Sequence, residues 1–249
     1  MKTAIVIPAR YASSRLPAKP LLRETGKYLI QHVYERACES KAEAVIVATD
    51  DARIFQAVES FGGNVVMTRQ DHPSGTDRVA EVAANLDADI IVNVQGDEPM
   101  IEPSALDMLA RLLVQDPKAK MATLATPITT LELWRDPNCV KVVCDNHGRA
   151  LYFSRSPIPS VRDGEPNFTK LPWRFLQHLG VYAYRRRFLL KLAKLLPGPL
   201  EETEKLEQLR VLALGYRIQV GLVSTAHRGI DTSADYQRFV EIYRKSQAA

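Results

Sequence analysis

Several common protein classes are excluded by what this chain of 249 residues lacks. It has three cysteines, Cys38, Cys139 and Cys144, an odd number with no CxxC pair. That leaves no disulfide framework and no zinc ribbon, and it fits reduced thiols. No apolar run approaches the roughly 20 residues that span a bilayer, so no membrane partner is expected. The opening stretch, Met1 to Arg10, holds an apolar run too short for a secretory leader and broken by Pro8 and Arg10, so a cytoplasmic location is the expectation. There is no long Lys/Arg block. The net charge of +4 is spread along the chain, which suits anionic small molecules better than a nucleic-acid surface, and no nucleic-acid partner is expected. Neither GxxxxGK[ST] nor a GxGxxG following a strand occurs, so P-loop and dinucleotide-binding readings have little support. Internal repeats and low-complexity segments are absent as well.

What is present is the make-up of an ordinary soluble domain. Hydrophobic residues are 46% and charged residues 25%, and the chain is long enough to bury a sizeable core without staples. The first half alternates short apolar runs with helical periodicity. Ala4–Ile7, Ala44–Ala48, Val65–Met67 and Asp89–Val94 read as strands. Between them, Leu29, Ile30, Val33 and Ala37, then Ile54, Val58 and Phe61, then Val79, Val82, Ala83 and Leu86 mark helix faces. Continuous apolar strands alternating with helices predict an α/β fold with a mostly parallel, doubly wound sheet. In the second half, strands are expected at Met121–Ala125, Val140–Cys144, Ala150–Phe153, Leu179–Tyr184 and Ile218–Val223. Helices are expected at Phe188–Leu196, Glu201–Leu214 and Ala234–Arg244, and the prolines between Ser156 and Pro172 predict a loop. One domain over 1–249, with a sheet-rich subdomain at about 125–185, is the expected organisation.

Chemistry gathers at the strand ends, where open α/β sheets bind ligands. The first strand runs into PARYASSRLPAKP, in which Arg10, Arg15 and Lys19 can surround a polyphosphate or simply form a solvated basic loop. Ser74-Gly75-Thr76-Asp77-Arg78 opens a helix, with Ser74 as N-cap and Asp77 as the capping-box acid, and such helix starts also bind phosphate. Gln95-Gly96-Asp97-Glu98-Pro99 follows the fourth strand. An acid there is placed either to hold Mg²⁺ together with phosphate oxygens or to make an ordinary turn. Arg228-Gly229-Ile230-Asp231-Thr232 precedes the closing helix, for which Thr232, Ser233 or Asp231 could be the cap. A His or Tyr on a strand, such as His178 or Tyr182, is usually structural. Leu206-Glu207-Gln208-Leu209-Arg210 reads as an amphipathic helix with its leucines inward, and Arg155 as a strand-end arginine.

Taken together and in order, IPARYASSRLPAKPL, SGTDR, NVQGDEPM, YFSR, QHLGVYAY, LEQLR and GIDT resemble the sugar-acid cytidylyltransferases, most closely the CMP-KDO synthetases (3-deoxy-manno-octulosonate cytidylyltransferases). The resemblance runs from Ile7 to Asp231 and is thinnest between Ser160 and Trp173. It implies a nucleotide-diphospho-sugar transferase-like fold, a homodimer formed through the second-half sheet region, and transfer of CMP from CTP to 3-deoxy-D-manno-octulosonate (KDO) with Mg²⁺ as cofactor. By resemblance, Arg10 and Lys19 hold the CTP phosphates and Arg15 sits where nucleotide and sugar acid meet, so that these three and Asp97 form the catalytic set. Pro8, Ala9, Ser74, Gly75, Arg78 and Gln95 line the nucleotide. Asp97 and Asp231 bind the metal, a pairing that spacing alone does not give. Arg155, His178, Tyr182, Glu207 and Gln208, with Arg162 as a weaker candidate, meet the sugar acid. Two departures stand out. Ala18 replaces a usual Gly, which leaves the loop less free to take positive φ, and Gln177 replaces a usual Arg. Other sugar acids, such as an 8-amino analogue or a sialic-acid-like acceptor, and a non-catalytic nucleotide-binding protein are the competing readings.

Overall fold

The computed structural model describes residues 1–12, 16–170, 172–224 and 229–247. The apolar run at the start of the chain forms β1 (Thr3–Ala9), buried at every position from Ala4 to Ala9. Burial on both faces is why the run is apolar throughout and does not alternate. The chain continues as α1 (Leu29–Cys38), β2 (Ala44–Thr49), α2 (Ala52–Ser60), β3 (Val65–Met67), α3 (Gly75–Ala83), β4 (Ile90–Asn93) and α4 (Pro103–Gln115). Asp51 caps α2 by accepting from Arg53 N, and Ser74 caps α3 by accepting from Asp77 N. The strands stand in the order β3-β2-β1-β4, and each of these pairings is parallel. Leu29, Ile30, Val33 and Ala37 of α1 are fully buried, as the periodicity requires.

Two compact units divide the chain. One is Met1–Asp107 with His227–Ala249, and the other is Met108–Ala226. The second contains β5 (Ala119–Pro127), α5 (Leu131–Arg135), β6 (Lys141–Cys144), β7 (Ala150–Ser154), β8 (Leu176–Arg185), α6 (Arg186–Leu192), α7 (Pro199–Glu204), α8 (Gln208–Ala213) and β9 (Arg217–Leu222). Here β5 lies between antiparallel β8 and parallel β9, and β6 pairs antiparallel with both β7 and β8. The β5–β8 register shifts between Thr123, opposite Tyr182, and Leu124, opposite Leu179. The Thr123 hydroxyl fills that irregularity, 2.8 Å from Val181 O and 3.1 Å from Leu179 O. The last helix, α9 (Ser233–Gln247), belongs to the first unit. Its Tyr236, Phe239 and Val240 pack with Leu16, Leu29 and Ile230. Each such fully buried large side chain contributes about 1.5–3 kcal/mol.

Three features differ from the sequence expectation. The helix expected over Glu201–Leu214 is two helices, because Lys205 takes a left-handed conformation (φ 53°, ψ 47°) that ends α7. The helix expected to reach Leu196 stops at Leu192, and Leu196 is 88% exposed. Helices α4 and α5 stand where the pattern assigned none. α4 buries Ala105, Leu106, Leu109 and Leu113 at helical spacing, and its exposed side is polar apart from Val114, at 53% exposure. Among the described residues no helix is long and apolar enough to cross a membrane.

Candidate active site

β1 and β4 are parallel neighbours, with Val6 beside Asn93, so the loops after both strands emerge at the same sheet edge. Close approaches define what gathers there. A Cβ on Gly96 would lie 3.1 Å from Pro8 O, 3.2 Å from the Ile30 side chain and 3.7 Å from Ala9 Cβ. A Cβ on Gly75 would lie 3.5 Å from Pro8 Cγ and 3.7 Å from Gln95 Oε1. Pro8, Ala9, Gly75 and Gln95, all expected at the nucleotide, are thus brought together, and Gly96 is a glycine because backbone passes so close. The α3 N-terminus opens at this cradle with backbone N–H groups, and the Ser74 hydroxyl is 2.7 Å from Asp77 Oδ2. Gln95 Nε2 donates to Asn93 Oδ1 at 3.1 Å, while the buried Asn93 amide nitrogen has no partner among the described residues. Arg78 is buried and committed to an internal network. It donates to Asp50 Oδ2 at 2.7 Å, to the Thr68 hydroxyl and to Arg69 O. Arg10 is exposed, and Arg15 lies outside the described residues.

The acidic part of the site is built by three segments of the first unit. Ala18 adopts the left-handed conformation after all (φ 54°, ψ 25°), so the residue that replaces glycine keeps glycine's backbone. That turn presents Lys19, whose ammonium donates to Asp97 Oδ2 at 2.5 Å and to Ile230 O at 2.8 Å and stands 3.7 Å from Asp231 Oδ1. Ile230 N in turn donates to Asp97 O at 2.9 Å. This backbone clip places Asp231 beside Asp97, the pairing that spacing could not give. The cap of α9 is Thr232: Asp235 N donates to its hydroxyl at 3.2 Å, and Asp235 Oδ2 accepts from Thr232 N at 2.9 Å, a reciprocal capping box. Asp231 is therefore not the cap, and its carboxylate is turned toward Lys19. Sequence reasoning passed over Glu98. A Cβ on Gly229 would lie 3.1 Å from its Oε1. Burial first, then the negative charges of Asp97 and Asp231, push the Glu98 carboxyl up to about 8. Only its neighbours' geometry reveals this, since an acid beside an acid in sequence carries no burial signal.

Two carboxylates and a carbonyl around one ammonium make a hard-oxygen donor set already occupied by a cation, and such a set could hold a divalent metal. No group of three or more His, Cys, Asp or Glu gathers as a metal cage among the described residues. Magnesium needs none, because it takes one or two carboxylates and fills its remaining positions with phosphate oxygens and water.

The second unit assembles another polar cluster. His178 is buried, with Nε2 2.9 Å from Thr123 Oγ1 and its ring edge-on to Phe153 at 4.9 Å. Burial lowers its pKa to about 3, so the imidazole is neutral. The Tyr182 ring lies 5.5 Å from it, and the phenol is held protonated by burial and by the charge of Glu207. Tyr182 Oη is 3.5 Å from Gln208 Oε1, and Gln208, 3% exposed, has an amide nitrogen with no partner among the described residues. His178, Tyr182 and Gln208 thus come together, with Glu207 immediately before α8. Arg155 is held differently: Nε donates to Glu204 O at 2.8 Å and Nη1 to Pro137 O at 3.0 Å, so much of its fork is engaged with carbonyls. Arg162 is exposed. Lys141, which no sequence pattern singled out, is fully buried and donates to the carbonyls of Asp136, Cys139 and Arg155 at 2.6–2.9 Å.

The cytidylyltransferase family model matches residues 4–218. The 3-deoxy-manno-octulosonate cytidylyltransferase of Geobacter metallireducens is 51% identical over 97% of both chains. That of Syntrophotalea carbinolica is 50% identical over 96% of this chain and 97% of its own. A solved structure of CMP:2-keto-3-deoxy-manno-octonic acid synthetase complexed with CTP superimposes with a TM-score of 0.92 at 46% identity, covering 99% of this chain and all of the other. With likeness at this level over the whole length, the chain belongs to the cytidylyltransferase family and, within it, to the 3-deoxy-manno-octulosonate cytidylyltransferases.

Proposed function

We propose that the protein transfers CMP from CTP to KDO, giving CMP-KDO and pyrophosphate for lipopolysaccharide biosynthesis. The observation that carries this reading is the convergence of Asp97 and Asp231 on one cation, beside the Pro8–Ala9–Gly75–Gln95 cradle. In that reaction the anomeric hydroxyl of the sugar acid attacks the α-phosphorus in line with the departing pyrophosphate, and positioning and charge neutralisation carry most of the rate. Asp97 and Asp231 hold Mg²⁺, which supplies polarisation of the α-phosphate when bound. Lys19, Arg10 and Arg15 neutralise the triphosphate, and the cradle seats the nucleoside. The neutral His178, the protonated Tyr182 and the unpartnered Gln208 amide offer hydrogen bonds suited to a polyhydroxylated acid. Glu207 and Arg155 complete the set, with Arg155 meeting the acceptor's carboxylate. The chain works in the cytoplasm as a homodimer. Its second unit leaves Leu151 and Trp173 61% and 63% exposed, apolar surface of the kind a partner copy covers.

The test is pyrophosphate release from CTP with Mg²⁺, with and without KDO. Release that requires both supports the proposal. Release only with another 2-keto sugar acid changes the acceptor, and CTP binding with no release for any acceptor replaces catalysis by nucleotide binding. Sedimentation of the intact chain tests the dimer.

A further inference from the structure

Resting on that reading of Asp97 and Asp231 as the metal ligands, we propose that the Lys19 ammonium and the divalent cation compete for one place, so that the metal site opens only when a nucleoside triphosphate draws Lys19 away. The ammonium does not merely lie near the acids. It sits among three oxygens, Asp97 Oδ2 at 2.5 Å, Ile230 O at 2.8 Å and Asp231 Oδ1 at 3.7 Å, with the lysine side chain only 14% exposed. A cation coordinated by the same Asp97 oxygen would stand within about 2.1 Å of it. Two positive centres cannot both be that close to one oxygen without strong mutual repulsion. Lysine suits the part of a removable placeholder, since its charge is compact and its stem flexible. The Ala18 turn fixes the base of that stem, and its four-carbon length lets the tip exchange these oxygens for those of a phosphate. The triphosphate supplies a competing cluster of negative charge, and the carboxylates are then left for the metal. Nucleotide and metal binding are coupled through Lys19, and the coupling is reciprocal.

Mn²⁺, followed by loss of its free-ion EPR signal, is the probe. The intact protein without nucleotide should bind Mn²⁺ weakly. Lys19→Met and Lys19→Gln, the latter retaining a donor for Ile230 O, should bind it at least tenfold more tightly, whereas Lys19→Arg should stay as weak as wild type. Adding Asp97→Asn to Lys19→Met should erase the gain. Melting curves of the metal-free variants identify any that fail to fold, and the remaining neutral variant carries the test. If neither neutral variant binds Mn²⁺ more tightly than wild type, or if the gain survives Asp97→Asn, the competition is overturned. KDO-dependent pyrophosphate release by the wild type, measured alongside, separates that result from failure of the functional reading. A gain in Mn²⁺ affinity without turnover would uphold the competition and sink the reaction.

Discussion

Ile230 N donates to Asp97 O across 2.9 Å, and this backbone hydrogen bond brings the two acids of the site to a single lysine. Neither acid is held by its own helix or strand, so their function is separable from the core.

Asp97→Asn and Asp231→Asn should therefore each lower KDO-dependent pyrophosphate release about 100-fold or more, as losing one pre-placed charge at a reacting phosphate does. The fold should survive, because neither side chain belongs to an apolar cluster. Steady-state assays paired with far-UV circular dichroism check this, and an Asp97→Asn enzyme within threefold of the wild-type rate would remove Asp97 from the metal.

Ala18 holds a left-handed backbone that costs an L-residue about 1–2 kcal/mol. Ala18→Gly removes that strain but adds freedom to the unfolded chain, worth about 0.4–1 kcal/mol. The net expectation is a gain of roughly half a kcal/mol in urea unfolding. Ala18→Val should lose about 1–2 kcal/mol, since a β-branched residue resists positive φ more than alanine does.

Lys141 is fully buried with its three donors matched to three carbonyls, and burial lowers its pKa. Lys141→Met keeps the stem's volume and strands the carbonyls of Asp136, Cys139 and Arg155. The expected loss is about 2–4 kcal/mol in equilibrium unfolding. A loss below half a kcal/mol would mean that those carbonyls find other donors.

His32 and His178 are both depressed by burial, to about 4 and about 3 from 6.5. Below pH 6.5 the unfolded chain takes up their protons while the folded chain does not. Their contribution to stability is therefore complete above 6.5 and shrinks as pH falls toward 4 and 3. Glu98, held up to about 8, acts oppositely, binding its proton in the folded state between 4.5 and 8 so that it disfavours the fold as pH rises. The histidine effect is read by difference: His32→Gln should flatten the wild-type slope between pH 6 and 4.5 by about 1 kcal/mol per pH unit, somewhat under the roughly 1.36 kcal/mol of a whole proton. Equal slopes would mean that His32 titrates normally.

The sequence made the parallel strands legible because β1, β2 and β4 are apolar on both faces and separated by well-marked helices. The loops after the first and fourth strands were legible as ligand sites because open α/β sheets bind at strand ends, while the cradle's individual residues came from the likeness to relatives. The break at Lys205 was not legible, since a lysine gives no warning of positive φ, whereas α4 was overlooked although Ala105, Leu106, Leu109 and Leu113 recur at helical spacing and are buried. The acid pair needed the likeness to relatives, because the clip at Ile230 is a backbone contact and no side-chain pattern records it. Sequence likewise does not record which donors of Arg78 and Arg155 are already engaged: in this structure they meet Asp50 and Thr68, and Glu204 and Pro137.

The first unit is made from the two ends of the chain, Met1–Asp107 and His227–Ala249. The whole of Met108–Ala226 therefore lies between Asp97 and Asp231 along the chain. A chain interrupted anywhere in that stretch holds the cradle residues and Lys19 but only one of the two carboxylates that meet it. The return of the chain to its first unit is the step that completes the acid pair.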